Sequence, residues 1–217
     1  TYAEAYNNIG NVLNAKDEPD AAIDNYKQAI KLKPYYAEAY YNMGLALKDK
    51  GDLNAAINSF KQAVKIEPDN ADAYNNMGVA LSDQGLLDAS IRSYEMALKI
   101  KPDYQIVRAS KLEEQSHICD WAAIRQDRDL IAKLGTSTES IGLFGILSLE
   151  DAPMRHRIRS ETHAKKLYGY IKPLPPTVRP SQKPKRLRIG YFSADFQEHP
   201  VAYLIAKVLE MHDRTHF

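Results

Sequence analysis

Cysteine is almost absent from this chain of 217 residues, which contains Cys119 alone. A single cysteine cannot form an intramolecular disulfide, and its rarity favours a reducing compartment, so we expect a cytoplasmic or nucleocytoplasmic protein. Cys119 stands between apolar stretches, next to Ile118 and close to Trp121. This setting predicts a packed thiol and not a reactive one.

Long apolar runs and a strong net charge are missing as well. No stretch approaches the ~20 apolar residues of a membrane-spanning helix, and the first residues lack the pattern of a signal peptide. The formal net charge is +1, which excludes a generic polyanion binder. The charge is unevenly placed, because residues 155–188 carry 11 Lys/Arg against one acid, whereas residues 1–102 carry 11 Lys/Arg against 14 Asp/Glu.

Several site motifs are also absent. There is no Gly-x-Gly-x-x-Gly, so nothing indicates dinucleotide binding. His156 and His163 are seven residues apart, but no carboxylate or cysteine is arranged to complete a metal site with them. The basic run lacks the interleaved aromatic residues that stack on bases, which argues against nucleic acid. We therefore predict no metal, no bound cofactor and no nucleic-acid partner.

What the chain does have is an internal repeat. Residues 3–10 (AEAYNNIG) return at residues 37–44 (AEAYYNMG) and again at residues 71–78 (ADAYNNMG), each time after 34 positions. Each copy closes with a proline, at Pro34, Pro68 and Pro102. The period and signature are identified as those of tetratricopeptide repeats, which are stacked pairs of helices. Three repeats are predicted over residues 1–104.

Each repeat has a predicted apolar face. Tyr6, Ile9 and Leu13 recur at helical spacing on the first helix, and the second helix carries a similar row that includes Tyr26. Glycine at position 10 and its equivalents lies inside the first helix at a cost of about 1 kcal/mol relative to alanine. A close approach of the two helices is the expected reason.

An asparagine occupies the same position in all three repeats, at Asn8, Asn42 and Asn76. The position falls between core residues of the first helix, where it is predicted to face the concave groove of the stack. Asparagine is a poor helix former, so three in register indicate a role in binding. Amide side chains both donate and accept, and a row of them suits the backbone of an extended polypeptide. The alternative is that asparagine is merely tolerated on a wet helix face.

This row of asparagines resembles the repeat array of the O-GlcNAc transferase family, whose groove asparagines hold substrate polypeptide. The resemblance continues with residues 118–121 (ICDW) and with residues 186–200, where RLRIGY and SADFQEHP look like the start of that family's catalytic domain. It implies that His199 lies in the active site, because the matching histidine of the family lies there and has been considered a general base. The plant Spindly-type O-fucosyltransferases share the layout.

The resemblance and the patterns together predict a mostly α-helical fold. The repeats at 1–104 are followed by a degenerate capping repeat and connecting helices at 105–135, and by further helices at 136–172. A proline-rich basic linker covers 173–185. Residues 186–217 read as strand, turn and helix, the first β-α unit of a Rossmann-like (GT-B type) domain that the chain does not complete.

The function that the resemblance implies is protein O-glycosylation. The repeats would hold a polypeptide while a nucleotide sugar, UDP-GlcNAc by the resemblance, donates its sugar to Ser or Thr. The donor would be bound mainly outside this chain, which alone is expected to be inactive. Two other functions stay open: a non-catalytic tetratricopeptide adaptor, and a basic segment that binds a membrane surface or polyanion. Repeat surfaces can also self-associate into a homo-oligomer.

Overall fold

The computed structural model describes residues 1–136, 141, 146 and 149–169. This part of the chain is helical and contains no strand. The helices are α1 (Tyr2–Ala15), α2 (Pro19–Leu32), α3 (Ala37–Asp49), α4 (Leu53–Ile66), α5 (Ala71–Asp83), α6 (Leu87–Ile100), α7 (Gln105–His117), α8 (Trp121–Gln126), α9 (Arg128–Ile131) and α10 (Pro153–Tyr168). The predicted linker at 173–185 and β-α unit at 186–217 lie outside the described residues.

Helices α1 to α6 form three pairs of nearly equal length, which confirms the predicted repeats. The second helix of each pair packs on the first helix of its own repeat and on the first helix of the next. Small residues make this possible, since Ala29, Ala63 and Ala97 are completely buried in α2, α4 and α6.

The glycine that recurs in the first helix of each repeat has a specific steric cause. A Cβ atom added to Gly44 would lie 2.6 Å from Cε1 of Phe60 on the paired helix. Gly10 and Gly78 stand in the same relation to Tyr26 and Tyr94. Each glycine therefore makes room for an aromatic ring of the second helix. The sequence predicts a close approach of the two helices, and the groups that approach are the backbone of the first helix and the aromatic ring of the second.

The predicted core face of α1 is correct at Leu13, which packs against the core cluster that contains Ile23 and Tyr26 of α2. It is wrong at Tyr6 and Ile9, which are 37% and 48% exposed; the buried residues of α1 are Ala3, Asn7 and Gly10. The equivalent residues of α3 and α5 pack against α2 and α4, the second helices of the preceding repeats. No described helix packs on Tyr6 and Ile9 in this way.

The turn after each first helix repeats at the same 34-residue spacing. Asp17, Gly51, Gly85 and Cys119 all have a positive φ, between 58° and 88°. In every case the following amide donates to a carbonyl five residues earlier, as from Asp120 to Gln115, which is the Schellman ending of a helix. The backbone conformation that ends the first helix of each repeat therefore also ends α7.

The packed thiol predicted for Cys119 is wrong, because the turn leaves Cys119 exposed.

Replacing Cys119 with glycine is expected to raise the free energy of unfolding by about 1 kcal/mol, because only glycine adopts this conformation without a Cβ penalty. Urea denaturation followed by circular dichroism would measure the change. Cys119→Ala is the matched control, since it removes the sulfur and keeps the strain. Equal stabilities of the two variants would contradict the explanation.

Beyond α7 the repeat pattern breaks down. Leu112 stands where the earlier repeats have glycine and is completely buried, so no aromatic ring can pack at that point. The second helix is replaced by two short helices, α8 and α9. Asp120 caps α8 by accepting from the amide of Ala123 at 3.1 Å. Helix α10 begins after its N-cap residue Ala152 and ends at Tyr168.

Candidate functional site

The three asparagines singled out from the sequence lie on the first helices α1, α3 and α5. Asn8 is exposed, and Asn42 and Asn76 are half-buried. None of the three is enclosed in the core, so all are accessible to a ligand. The surface that carries them is called the first-helix face below, and it comprises Glu4, Asn8, Asn11, Asn14, Glu38, Asn42, Leu45, Asp72 and Asn76.

Asn42 is tied to the preceding repeat. Its Nδ2 donates to Oδ1 of Asn7 at 3.1 Å, and Nδ2 of Asn7 donates to Oε1 of Glu38 at 3.1 Å. Asn7 is completely buried, and its amide joins two residues that are one turn apart on α3. An asparagine adjacent to the predicted row thus forms part of the contact between repeats.

Asn76 has an equivalent contact with a different partner. Its Nδ2 donates to the Tyr41 hydroxyl at 3.1 Å and to the backbone oxygen of Asp72 at 2.9 Å. Burial raises the pKa of Tyr41, and the charge of Asp72 adds to the rise, so the phenol is neutral. The sequence suggests that Tyr41 interrupts a row formed by Asn7 and Asn75, yet Tyr41 accepts from the next repeat just as Asn7 does.

A small cavity opens on this face between α1 and α3. Its volume is about 190 Å³, and Asn11, Asn14, Tyr26, Asn42 and Leu45 are among the residues that line it. The Tyr26 hydroxyl donates to Oδ1 of Asn11 at 2.9 Å, and burial raises the pKa of Tyr26 to about 12. Asn11 and Asn14 are not singled out by the sequence, because the later repeats have no asparagine at the equivalent positions.

Acidic residues form a second row beside the asparagines. Glu4, Glu38 and Asp72 are 34 residues apart and lie one helical turn before Asn8, Asn42 and Asn76. Tyrosine hydroxyls accompany two of them, with Tyr104 donating to Asp72 at 2.7 Å and Tyr36 donating to Glu38 at 3.4 Å. The first-helix face is therefore rich in hydrogen-bond acceptors.

Of the remaining sequence candidates, His199 lies outside the described residues, and the two histidines of α10 are not part of this face. Nε2 of His156 is 2.9 Å from the backbone oxygen of Glu150, far along the chain from the repeats. Within the described residues, no group of three His, Cys, Asp or Glu side chains is placed to hold a metal ion. None of the helices described is both long and apolar enough to cross a membrane.

Comparisons with known proteins agree with the repeat geometry. Residues 10–51 and 44–85 match the family described as TPR repeat, and residues 71–104 match the family described as tetratricopeptide repeat. The curated relative is a probable UDP-N-acetylglucosamine–peptide N-acetylglucosaminyltransferase, SEC, of Arabidopsis thaliana, 46% identical over 48 residues. That match covers 19% of this chain and 5% of the relative.

Solved structures show the same fold. The first tetratricopeptide domain of Spaghetti (RPAP3), bound to the HSP90 peptide SRMEEVD, has a TM-score of 0.53 at 20% identity and covers 54% of this chain and 94% of that domain. MamA has a TM-score of 0.53 at 22% identity and covers 76% of this chain and 80% of MamA. Residues 10–104 of this chain therefore match tetratricopeptide repeats in sequence, and the described helices have the same fold.

Proposed function

We propose that the first-helix face binds extended polypeptide and that this chain is part of a protein O-glycosyltransferase resembling O-GlcNAc transferase. The observation that carries the binding proposal is the row of accessible amides at Asn8, Asn42 and Asn76, which recurs with the repeat. The RPAP3 domain supports it by example, because a tetratricopeptide fold of the same kind is bound there to a peptide.

The glycosyltransferase part of the proposal has two supports. One is the local similarity to the Arabidopsis SEC protein, whose name states an N-acetylglucosaminyl transfer to peptide. The other is the resemblance of residues 186–200 to the start of the catalytic domain in that family, with His199 as the proposed active-site residue. The repeats would then hold the acceptor polypeptide, and UDP-GlcNAc would donate the sugar in a reducing, cytoplasmic or nucleocytoplasmic compartment.

Replacing Asn8, Asn42 and Asn76 together with alanine is expected to weaken polypeptide binding about 10- to 100-fold. The estimate takes about 0.5–1 kcal/mol for each of the three lost hydrogen bonds. Fluorescence anisotropy with an unstructured, neutral, Ser/Thr-rich peptide would measure the affinity, and circular dichroism would establish that helicity is kept.

A matched triple variant controls for the loss of surface amides. Gln28, Asn58 and Gln62 are exposed amides on the second helices α2 and α4, and their replacement with alanine should leave the affinity unchanged. Unchanged binding by the first-helix variant would contradict the proposal.

The transfer step needs its own experiment, on the protein with its complete catalytic domain. Incubation with UDP-GlcNAc and a polypeptide acceptor should add one N-acetylhexosamine per modified Ser or Thr, detected by mass spectrometry. His199→Ala is expected to reduce this transfer while polypeptide binding by the repeats stays the same. Binding without any transfer by the unaltered protein would leave the non-catalytic adaptor as the function.

A further inference from the structure

The cavity between α1 and α3 differs in chemistry from the acidic row beside it. Its lining consists of neutral side chains, namely three amides, one phenol and two apolar groups, from Asn11, Asn14, Asn42, Tyr26, Ala15 and Leu45. Its volume of about 190 Å³ is several times the space of one water molecule, about 30 Å³ in the liquid. The cavity therefore has room for a side chain and offers it hydrogen bonds without a charge.

The hydrogen bond from Tyr26 decides which atom of Asn11 is available. The Tyr26 side chain is buried, and burial raises its pKa to about 12, so the phenol stays protonated. Its hydroxyl donates to Oδ1 of Asn11 at 2.9 Å. No described residue accepts from Nδ2 of Asn11. Asn11 therefore offers its N–H donors to a ligand.

Two further amides supply acceptors. Asn14 follows Asn11 by three residues on α1, which places the two side chains on the same face of the helix. Asn14 is half-buried, and its side chain has no hydrogen-bond partner within the described part of the chain. Nδ2 of Asn42 is already used by Asn7, which leaves the oxygen of Asn42. The cavity thus combines donors with acceptors.

The pairing of amide and hydroxyl belongs to the first repeat. At the equivalent positions the second repeat has Leu45 and Phe60 in place of Asn11 and Tyr26, and the third repeat has Val79 in place of Asn11. Leucine forms helices better than asparagine, so helix stability does not explain the amide in α1. A role in binding explains it.

The lining selects among side chains by elimination. An apolar side chain would cover the amides without giving them partners, and a buried polar group without a partner costs free energy. A charged side chain would lose water with no opposite charge among the lining residues. Serine and threonine bring a single hydroxyl, whereas a carboxamide has two donors and an acceptor and carries methylene groups that Leu45 can contact.

We infer that the cavity between α1 and α3 is a subsite for a glutamine or asparagine side chain of the bound polypeptide, with Asn11 donating to its oxygen and Asn14 accepting from its nitrogen. This inference rests on the proposed polypeptide binding and adds a side-chain preference at one position. Contacts with the main chain are the same for glutamine and leucine, so the contribution of the subsite can be measured separately.

The decisive measurement compares three peptides that differ at one position. Each is otherwise neutral, unstructured and rich in Ser and Thr, and carries glutamine, leucine or glutamate at its centre. Because two hydrogen bonds are involved, we expect the glutamine peptide to bind about 5- to 30-fold more tightly than the leucine peptide. The glutamate peptide, which has nearly the same shape, should also bind more weakly than the glutamine peptide.

A double variant removes the subsite and keeps the packing. Asn11→Leu with Tyr26→Phe installs the pair that the second repeat already has at Leu45 and Phe60, so we expect unchanged helicity. The double variant should bind the glutamine and leucine peptides equally, and the leucine peptide no more weakly than the unaltered chain does. Any repulsion of the glutamate peptide by the acidic row remains in this variant, which separates charge from the subsite.

Two single variants complete the comparison. Asn14→Ala removes the acceptor without touching the Tyr26 ring and is expected to reduce the preference for glutamine about threefold. This variant decides the question should the double variant lose helicity. Asn58→Leu, on the exposed face of α4, is the control for the loss of a surface amide and should leave the preference unchanged.

The outcomes distinguish this inference from the proposed function. Equal affinities of the glutamine and leucine peptides for the unaltered chain would overturn the subsite while polypeptide binding stands. A glutamine preference that persists in the double variant would originate elsewhere and would overturn the subsite as well. Binding of no peptide by the unaltered chain would overturn the proposed function, and this inference with it.

Discussion

Replacing Phe60 with alanine is expected to lower the free energy of unfolding of the repeat region by about 3–5 kcal/mol. The side chain is completely buried in the middle repeat and packs on both its own first helix and the next one. Its removal takes apolar surface out of the core and leaves a cavity that the helices only partly close. Urea denaturation followed by far-UV circular dichroism would measure the loss.

A second substitution tests whether the ring is the reason for the glycine opposite it. Gly44→Ala should destabilise the unaltered chain, since the new Cβ would lie 2.6 Å from the Phe60 ring and overpacking costs about 1–3 kcal/mol. In the Phe60→Ala background the clash is gone, and the higher helix propensity of alanine, worth about 1 kcal/mol, should make the same substitution stabilising. A destabilising effect of Gly44→Ala in both backgrounds would contradict the steric explanation.

Replacing Arg159 with methionine is expected to detach α10 from the helices before it. The Arg159 side chain is 1% exposed, and it donates to the backbone oxygens of Leu134 and Ile131, at 2.6 Å each. It also pairs with Glu150. Methionine leaves the backbone oxygens of Leu134 and Ile131 without this donor, and an unsatisfied buried polar group costs about 1–3 kcal/mol. Hydrogen exchange of the α10 amides should become faster, while the α1 to α6 amides keep their protection.

Glu150 provides the control for that prediction. In a Glu150→Gln background the ion pair between Arg159 and residue 150 is already lost, so Arg159→Met should cost less there. The pH dependence has a definite sign. Burial raises the pKa of Glu150, but the hydrogen bonds from Arg155 and Arg159 outweigh it and leave the pKa below 4.5. The stabilisation is therefore complete above pH 4.5 and is lost as the pH falls through the lowered pKa. An effect of Arg159→Met that is the same in both backgrounds would show that the ion pair is unimportant.

The repeat could be derived from the sequence because its cause is local and recurs. Gly10, Gly44 and Gly78 are evenly spaced, and proline closes each copy, so the helix pairs and their number follow from periodicity. The row of Asn8, Asn42 and Asn76 is visible in the same way. The burial of Tyr6 and Ile9 could not be assigned from the sequence, because it depends on which helix stacks against them, and periodicity alone carries no information on that.

The partners of the binding-site residues were decided by the tertiary structure. Asn7 and Asn42 are 35 residues apart in the sequence, and the pattern within a single helix does not reveal this offset. The sequence also has Tyr41 at the position where the repeat would place an asparagine between Asn7 and Asn75. Stacking brings these side chains together, and the hydrogen-bonding capacity of Glu38 and Asp72 then orients the amides. The positive φ at Cys119 is likewise a result of the turn. The backbone there has the same conformation as at Gly51 and Gly85, although Cys119 is not a glycine.

The sequence by itself determined the number, length and order of the paired helices, because helix periodicity, glycine and proline act within one repeat. The tertiary structure decided which amide atoms form the hydrogen bonds between neighbouring first helices and which residues of α1 are buried. Both outcomes depend on contacts between neighbouring helices, and a hydrogen bond or a buried surface exists only when the second partner is in place.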